Sequence, residues 1–348
     1  MTRRTLAVRI ERHGPPEVLT EREITLGDPG PDEVHLRVQA AGVNFADLMM
    51  RTGIYATVPP RPYSPGFEAA GIVERVGSSV TDWVPGDPAV ALIRYGAYAR
   101  DILVPVRNLF PSPQSLSPVE AAAVPVAFLT AWICLHETGH ARRGDTLLAL
   151  NAAGGVGTAA VQLGRQAGMR VLGTAGAERK RRFVVDQLGA EACFDSTADW
   201  EEQVRATAGA RGVDVALDAV GGAATRSCRR LLGPLGRLVF YGLSDAMPSR
   251  RRNPIAMATA WLRTPWFHPL SLIQPNLGVF GVHLLHLERK EERLRPLLEE
   301  VFGGVASGAL RPVVDRTFPL DRAGAVEAHR YIHDRQAIGK VVLRSPDP

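Results

Sequence analysis

The stretch Asp145-Thr-Leu-Leu-Ala-Leu150, continued by Asn151-Ala-Ala-Gly-Gly-Val-Gly157 and Thr158-Ala-Ala-Val-Gln-Leu-Gly-Arg-Gln-Ala-Gly168, decides how this chain is read. An apolar run enters a glycine turn, and the turn opens a helix of small residues. The spacing Ala152-x-Gly154-x-x-Gly157 is a dinucleotide fingerprint with alanine in its first place. Residue 152 makes the tight turn, Gly154 lets a diphosphate lie against bare backbone, and Gly157 lets the helix pack close to the strand. The first amides of a helix have no acceptor within it, and they face an anion with the positive end of the helix dipole. Ala153, Gly154, Gly155, Val156 and Gly157 are therefore the expected phosphate cradle. A second apolar run, Arg170-Val-Leu-Gly-Thr174, completes a strand–helix–strand unit, which sets this motif apart from an ordinary glycine-rich turn.

The end of the second strand selects the nucleotide. An NAD site usually carries Asp or Glu there, about 20 residues beyond the fingerprint, to hold the ribose hydroxyls. Here Thr174-Ala-Gly176 is followed by Ala177-Glu-Arg-Lys-Arg-Arg182. No acid stands at the strand tip, and Arg179 and Lys180 suit a ribose 2′-phosphate. The competing reading is a solvated basic helix start, and Glu178 weakens the local field. The pattern predicts NADPH over NADH.

At 348 residues the chain is long enough for two domains with their own cores. Apolar residues at 45% and charged residues at 22% fit a soluble globular protein. The formal charge of +5 is spread among 36 acidic residues with no basic stripe, which argues against nucleic acid as a partner. One further basic cluster, Ser249-Arg-Arg-Arg-Asn253, reads as a solvated loop. Cys134, Cys193 and Cys228 lack paired spacing and read as buried thiols of a reducing compartment. The start alternates as Leu6-Ala-Val-Arg-Ile-Glu11, in the manner of a strand, with no signal-peptide core. Pro125 interrupts the uncharged run Ala121–Leu135 and leaves it too short to span a bilayer. A cytoplasmic protein is the expectation.

The texture changes twice along the chain, with no internal repeats. Residues 1–126 hold short strands between Gly and Pro turns, among them Val34–Ala40, Ala70–Val76 and Pro88–Leu92, as in a compact barrel-like β domain. Residues 127–288 have an αβ texture, with strands expected at Val213–Asp218, Arg237–Gly242 and Leu277–His283. Residues 289–348 supply a charged helix, a strand near Val313–Thr317, a helix after Asp321 and a closing strand Lys340–Arg344. Between Asn253 and Asn276 lie Trp261, Trp266, Phe267, Leu270 and Ile273. They are read first as packing over the core or a dimer contact, and alternatively as a substrate lid or a membrane-surface attachment.

Five segments carry a resemblance to a known family: Ala41-Gly-Val-Asn-Phe-Ala-Asp47, Pro65-Gly-Phe-Glu-Ala-Ala-Gly71, Val124-Pro-Val-Ala-Phe-Leu-Thr-Ala-Trp132, Asn151–Gly157 and Ile338-Gly-Lys-Val-Val342. In order and over nearly the whole chain, they resemble the zinc-independent quinone oxidoreductase branch of the medium-chain dehydrogenase/reductases. The segment from Arg251 to Leu287 looks most like the VAT-1-like members, and Val124–Ala131 also resembles the enoyl-reductase domains of polyketide synthases. The resemblance implies an α/β protein with a GroES-like β-rich catalytic domain built from both chain ends, a Rossmann doubly wound parallel sheet in the middle, and a cofactor cleft between them. It also implies a homodimer. Zinc-dependent members place Cys, His and Cys around a catalytic metal. By motif position those places are Asn44, Phe67 and Val126 here, poor ligands for zinc, and the four-cysteine structural lobe is missing between Leu92 and Tyr98. The expectation is NADPH as cofactor and no zinc.

Two histidine patterns compete for notice. His136-Glu-Thr-Gly-His140 matches the zinc-protease spacing, but Gly139 and Ala141-Arg-Arg-Gly-Asp145 read as a helix stop. His329 and His333 share helical spacing, yet Arg330, Asp334 and Arg335 suggest a solvated face.

The chemistry is then expected from the cofactor and the pocket, with a quinone, an enone or an enoyl thioester as substrate. By resemblance, Asn44 and Tyr55 face the nicotinamide side, Tyr55 as proton donor, carbonyl orienter or packing residue. Thr130 touches the nicotinamide ribose or amide, and Val220, Gly221, Tyr241, Gly242, Phe280 and Gly281 line the cofactor. Gly339 and Lys340 lie near it on the closing strand. Phe45, Phe67 and Phe128, with Tyr55, make the pocket apolar. Ser196 stands where many relatives have a tyrosine near the 2′-phosphate. Two other readings stay open: a VAT-1-like nucleotide-binding protein with lipid or partner contacts and little reductase activity, and a redox-neutral tailoring enzyme on the same fold.

Overall fold

The structure, a computed structural model, describes residues 3–55, 58–247, 250, 253–284, 286–287 and 291–346. It divides into two compact units, Met1–Val126 with Arg250–Arg252 and Glu299–Pro348, and Ala127–Ser249 with Asn253–Leu298. The changeover near the end falls at Glu299, inside the helix Glu291–Ala306, rather than at Arg289 where the sequence puts it.

In the first unit, strand β1 (Arg3–Ile10) pairs antiparallel with β2 (Leu19–Leu26). Next come β3 (Glu33–Val43), β4 (Glu68–Val76), β5 (Pro88–Leu92), β6 (Asp101–Pro105) and β7 (Leu109–Pro111). In the second unit follow β8 (Thr146–Ala149), β9 (Arg170–Ala175), β10 (Ala192–Asp195), β11 (Val213–Asp218), β12 (Leu232–Phe240) and β13 (Gly278–Gly281). The chain then returns to the first unit with β14 (Val314–Pro319) and the closing strand β15 (Lys340–Arg344).

The first unit's main sheet runs β14-β15-β3-β4-β5-β7, with β6 also on β3. Alternation explains its centre: Val34, Leu36, Val38 and Ala40 of β3 are almost fully buried, as are Val73 of β4, Val90 of β5 and Val104 of β6. The chain's end is built into this core, because β15 pairs antiparallel with β3, Val341 opposite Val43 and Leu343 opposite Ala41. Strands β2, β6, β7 and β10 were not legible in the sequence. In β2, Glu21, Arg22 and Glu23 interrupt the apolar alternation on an edge exposed to solvent, and β10 has only Ala-Cys-Phe-Asp to declare itself.

All pairings in the second unit's sheet are parallel, in the order β10-β9-β8-β11-β12-β13. Counted within the unit this is 3-2-1-4-5-6, the doubly wound order that reverses beside its first strand. Strands covered on both faces read as continuous apolar runs, and all four residues of β8 are buried. Leu148, Leu172, Val213, Ala216 and Leu238 form the centre of this core. Burial pushes the thiols of Cys134 and Cys228 well up and that of Cys193 up to about 12.

Two expectations change. Pro125 does not leave the neighbouring apolar run too short to cross a bilayer. It stands first in the helix Pro125–Trp132, where no N–H is needed, and the helical stretch Pro118–Thr138 is long and apolar enough by length and composition. Its most apolar window is 72% buried, as in the core helix of a globular protein. His329 and His333 do not lie on a solvated face. In the helix Arg322–His333, His329 is fully buried and His333 nearly so, while Arg330 turns outward to pair with Glu17 and Glu327. Of the basic cluster 249–253, Arg250 and Asn253 alone lie among the described residues, and Arg250 pairs with Asp334.

Candidate active site

The nucleotide motif stands at the carboxyl end of β8, where the strand order reverses. Asn151 takes a left-handed φ of 54°, and Ala152 N–H donates to Thr174 O at 2.9 Å, tying the turn to the tip of β9. Gly154 caps the helix Gly155–Gln166. A Cβ on Gly157 would stand 2.3 Å from Asn151 O and 2.7 Å from Ala152 Cα, so no side chain fits there. Ala152, Ala153 and Gly157 are buried, whereas Gly154, Gly155 and Val156 keep accessible surface at the helix start. Backbone bare of side chains, at the start of a three-turn helix, fits a pyrophosphate.

The cations beyond β9 are not equivalent. Arg181 folds back on its own loop, donating to Gly176 O at 2.8 Å and pairing with Asp195 at 2.9 Å. Arg182 pairs with Glu178 one turn away. Lys180 is 8% exposed, and Arg179 is exposed. Thr174 is buried, and Ser196 lies beside the strand tip with its N–H on Ala175 O.

The turn after β11 is organised by Asp218, whose carboxylate accepts from Val220 N–H at 2.7 Å, Gly221 N–H at 2.9 Å and Thr225 Oγ1 at 2.6 Å. Val220 and Gly221 thus have their amides committed; Gly221 has φ 83°, is buried, and packs so closely on Leu243 that a Cβ there would stand 2.2 Å from Leu243 Cδ1. Thr130 and Phe128 are buried in the helix Pro125–Trp132. Tyr241 and Gly242 follow β12, and burial pushes the Tyr241 phenol up. Phe280 is 37% exposed on the edge strand β13, next to Gly281, whose α-carbon faces open space.

In the first unit, β-sheet register assembles a polar cluster. Because Val341 pairs with Val43, Lys340 falls beside the end of β3 and Asn44. Its ammonium donates to Asn44 Oδ1 at 2.6 Å, Glu68 Oε1 at 2.7 Å and Val43 O at 3.2 Å. Those three bonds account for its three protons, and the side chain is turned inward. Asn44 Nδ2 donates to Glu68 Oε1 at 2.9 Å, and Val126 N–H donates to Glu68 Oε2 at 2.8 Å. Glu68 is fully buried, and a Cβ on Gly42 would stand 2.4 Å from its Oε1. Of the three places where zinc-dependent relatives hold metal ligands, Asn44 and Val126 bond Glu68, and Phe67 is its chain neighbour. Glu68 was passed over in the sequence, where it reads as one letter of a motif.

Asn44 also caps the helix Phe45–Thr52. Its N–H donates to Asp47 Oδ2 at 2.8 Å, and Gly66 N–H donates to Asp47 Oδ1 at 2.7 Å. Burial raises the Asp47 carboxyl to about 7 against those hydrogen bonds. The Tyr98 hydroxyl bonds the same carboxylate and lies 3.3 Å from His329 Nε2. Arg51 Nε donates to His329 Nδ1 at 3.2 Å. Arginine only donates, so His329 Nδ1 accepts and the neutral ring carries its proton on Nε2, towards Tyr98. Burial, then the Arg51 charge, holds His329 well below the usual histidine range, which keeps it neutral. Asp47, Arg51, Tyr98 and His329 are all inaccessible to solvent.

Tyr55 and Phe67 meet at 5.8 Å between ring centroids, and Phe45 is half-buried on the neighbouring helix. Burial, and then the Asp47 charge, pushes the Tyr55 phenol up. The protease-like spacing does not make a site: the helical turn Ile133–Thr138 stops at Gly139, His136 stacks on Trp132, and His140 lies against Phe280. No group of three or more possible metal ligands occurs among the described residues. In the segment 253–276, Phe267 packs on Phe240 and Thr264 accepts from Gly222 N–H, while Ile255, Trp261, Leu262, Trp266, Leu270 and Ile273 are exposed.

Residues 30–114 match the family described as alcohol dehydrogenase GroES-like domain, and residues 188–343 match the zinc-binding dehydrogenase family. A zebrafish (Danio rerio) synaptic vesicle membrane protein VAT-1 homolog is 37% identical over 313 residues, 89% of this chain; the match spans 64% of that protein's length. A rat (Rattus norvegicus) quinone oxidoreductase is 30% identical over 342 residues, 97% of each chain. The Escherichia coli quinone oxidoreductase, solved in complex with NADPH, superposes with a TM-score of 0.86 at 28% identity, covering 97% of this chain and 99% of that one.

Proposed function

Because this chain belongs to the quinone oxidoreductase branch of the medium-chain dehydrogenase/reductases, we propose that it is an NADPH-dependent, zinc-independent reductase of quinones or α,β-unsaturated carbonyl compounds. NADPH, when bound, supplies a hydride. The residues from Ala153 to Gly157 would hold its diphosphate, Arg179 its 2′-phosphate, and Thr130, Val220, Gly221, Tyr241, Gly242, Phe280 and Gly281 its remaining length. Asn44 and Tyr55 would orient the acceptor's carbonyl beside Phe45 and Phe67.

The observation that carries this reading is the donor set around Glu68. An amide, a phenyl ring and an isopropyl group stand at the metal-ligand places, and the Glu68 carboxylate, bonded by the Asn44 amide and the Val126 N–H, is already matched by Lys340. Such a site polarises a carbonyl through hydrogen bonds and suits acceptors that are already conjugated. The test follows NADPH absorbance with a small quinone, a 2-enal and an enoyl thioester in turn. Turnover with at least one is expected; none with any of them sinks the reductase reading. Arg179→Ala should weaken NADPH far more than NADH, and equal losses would count against the 2′-phosphate assignment.

A second reading rests on the exposed apolar face of segment 253–276. Trp261 is 58% and Trp266 76% exposed and their rings meet at 5.5 Å, while Leu270 and Ile273 of the same segment are exposed too. Surface of this kind is unusual for a face in water alone and suits a lipid or protein partner, a homodimer included. Co-sedimentation with anionic liposomes that disappears in Trp261→Ser/Trp266→Ser would support lipid contact. Unchanged co-sedimentation, or none from the start, removes it.

A further inference from the structure

We propose that Lys340 is a positioning and polarising residue that acts through Asn44, making the amide of Asn44 the electrophilic hydrogen-bond donor to the acceptor's carbonyl oxygen. This rests on the reductase reading for its substrate but on the first unit's own geometry for its mechanism.

The orientation of Asn44 is fixed by chemistry. An ammonium can only donate and a carboxylate can only accept. The oxygen of the Asn44 amide therefore faces Lys340 at 2.6 Å, and its nitrogen faces Glu68 at 2.9 Å. One Nδ2–H is used by Glu68, and the other is left for a ligand, on a residue that keeps accessible surface. The Lys340 side chain is only 5% exposed and that of Glu68 not at all, so the charge acts where water screens little. A cation bonded to the amide oxygen draws electron density from nitrogen and strengthens the remaining N–H as a donor. The whole arrangement is rigid. Lys340 is held by β15 in register with β3, Glu68 is wedged against Gly42, and the Asn44 backbone is clamped by Asp47. Negative charge arriving on the acceptor's oxygen would thus meet a donor already aimed and polarised, the task a metal performs in other members of the fold.

The test compares Lys340→Met, Asn44→Ala, both together, and Lys340→Met/Glu68→Gln. The last pair removes both charges at once, so that no unmatched buried carboxylate threatens folding. With NADPH and the best acceptor of the quinone, 2-enal and enoyl thioester panel, Lys340→Met and the pair should lower turnover about 10–100-fold. That is less than the 10²–10³-fold for losing an oxyanion donor outright. The NADPH dissociation constant should stay within about threefold. In the Asn44→Ala background the lysine substitution should cost nothing further. A readout independent of turnover is the side-chain amide resonance of Asn44 in protein labelled with ¹⁵N-asparagine, identified by its loss in Asn44→Ala. It should move upfield in Lys340→Met/Glu68→Gln and hold its place in Lys340→Arg. Weakened NADPH binding with unchanged turnover would make Lys340 a cofactor ligand and overturn the proposal, as would an equal loss in the Asn44→Ala background. Should the unaltered protein reduce no acceptor, the reductase reading fails by itself. The amide resonance then decides the Lys340–Asn44 coupling, and a resonance that does not move overturns it.

Discussion

Tyr55 shows how a residue's surroundings sort its possible roles. An efficient general acid has a pKa near the working pH, yet burial and the Asp47 charge drive the Tyr55 phenol upwards. The hydroxyl stays protonated, which makes it a steady hydrogen-bond donor and a poor source of protons. Tyr55→Phe should therefore lower kcat/KM only about 2–10-fold, the worth of one neutral hydrogen bond, with NADPH affinity unchanged by fluorescence titration. A thousandfold loss, with a changed pH profile, would return Tyr55 to the role of proton donor. Asn44 differs in kind, because its partners are ionic and its orientation leaves no choice.

At the scale of elements, the helix Gly155–Gln166 depends on one close approach. A methyl group at residue 157 would collide with the Asn151 carbonyl and the Ala152 backbone. Neither can retreat, since Ala152 is bonded to Thr174 and Asn151 O accepts from Gly154. Gly157→Ala should displace the helix start, costing about 1–3 kcal/mol as overpacking does. NADPH affinity should fall about 5–100-fold, and titration showing wild-type affinity would refute the cradle.

This element was legible because its signal is local: a strand, a turn and a helix written in consecutive residues. So were the strands whose apolar residues alternate, such as β3 and β4. The polar interior of the first unit was not. Asp47 and Arg51 are four residues apart on one helix, which in a sequence reads as a surface ion pair. Both are buried instead, Asp47 on the backbone of Gly66 and Arg51 on His329, a residue 278 positions away. The Arg330 and Asp334 flanking that region turn outward and lend it a solvated look. Lys340 could be placed near the site by motif, but its partners come from β-sheet register, which one-dimensional periodicity does not reveal.

For the whole molecule, buried groups make stability depend on pH in opposing senses, Asp47, His329 and Asp101 among them. Asp47 lies at about 7 in the fold against an ordinary 3.8. The native state therefore holds a proton that the unfolded chain has released between those values. Its contribution is complete below about pH 4 and is lost as pH rises to about 7, on the order of 4 kcal/mol from the size of the shift. His329 works the other way. Held neutral by burial, it contributes above the ordinary 6.5, and that contribution is lost as pH falls and the unfolded histidine takes up its proton. Burial raises Asp101 too, but hydrogen bonds from His35 and Thr5 outweigh it, so its share is lost only on stronger acidification. The net curve between pH 4 and 7 is then flatter than either group alone would make it, and comparison with a variant isolates the carboxyl. Asp47→Asn cannot ionise, so its Tm, although lower overall for the lost carboxylate hydrogen bonds, should lack the falling component. Plotted against pH, the wild-type Tm minus the variant Tm should decrease steadily from pH 4 to 7 and level off above 7. A difference that stays constant, or rises across that window, would mean that Asp47 is ionised throughout, its charge sustained by the amides of Asn44 and Gly66 and by Lys340.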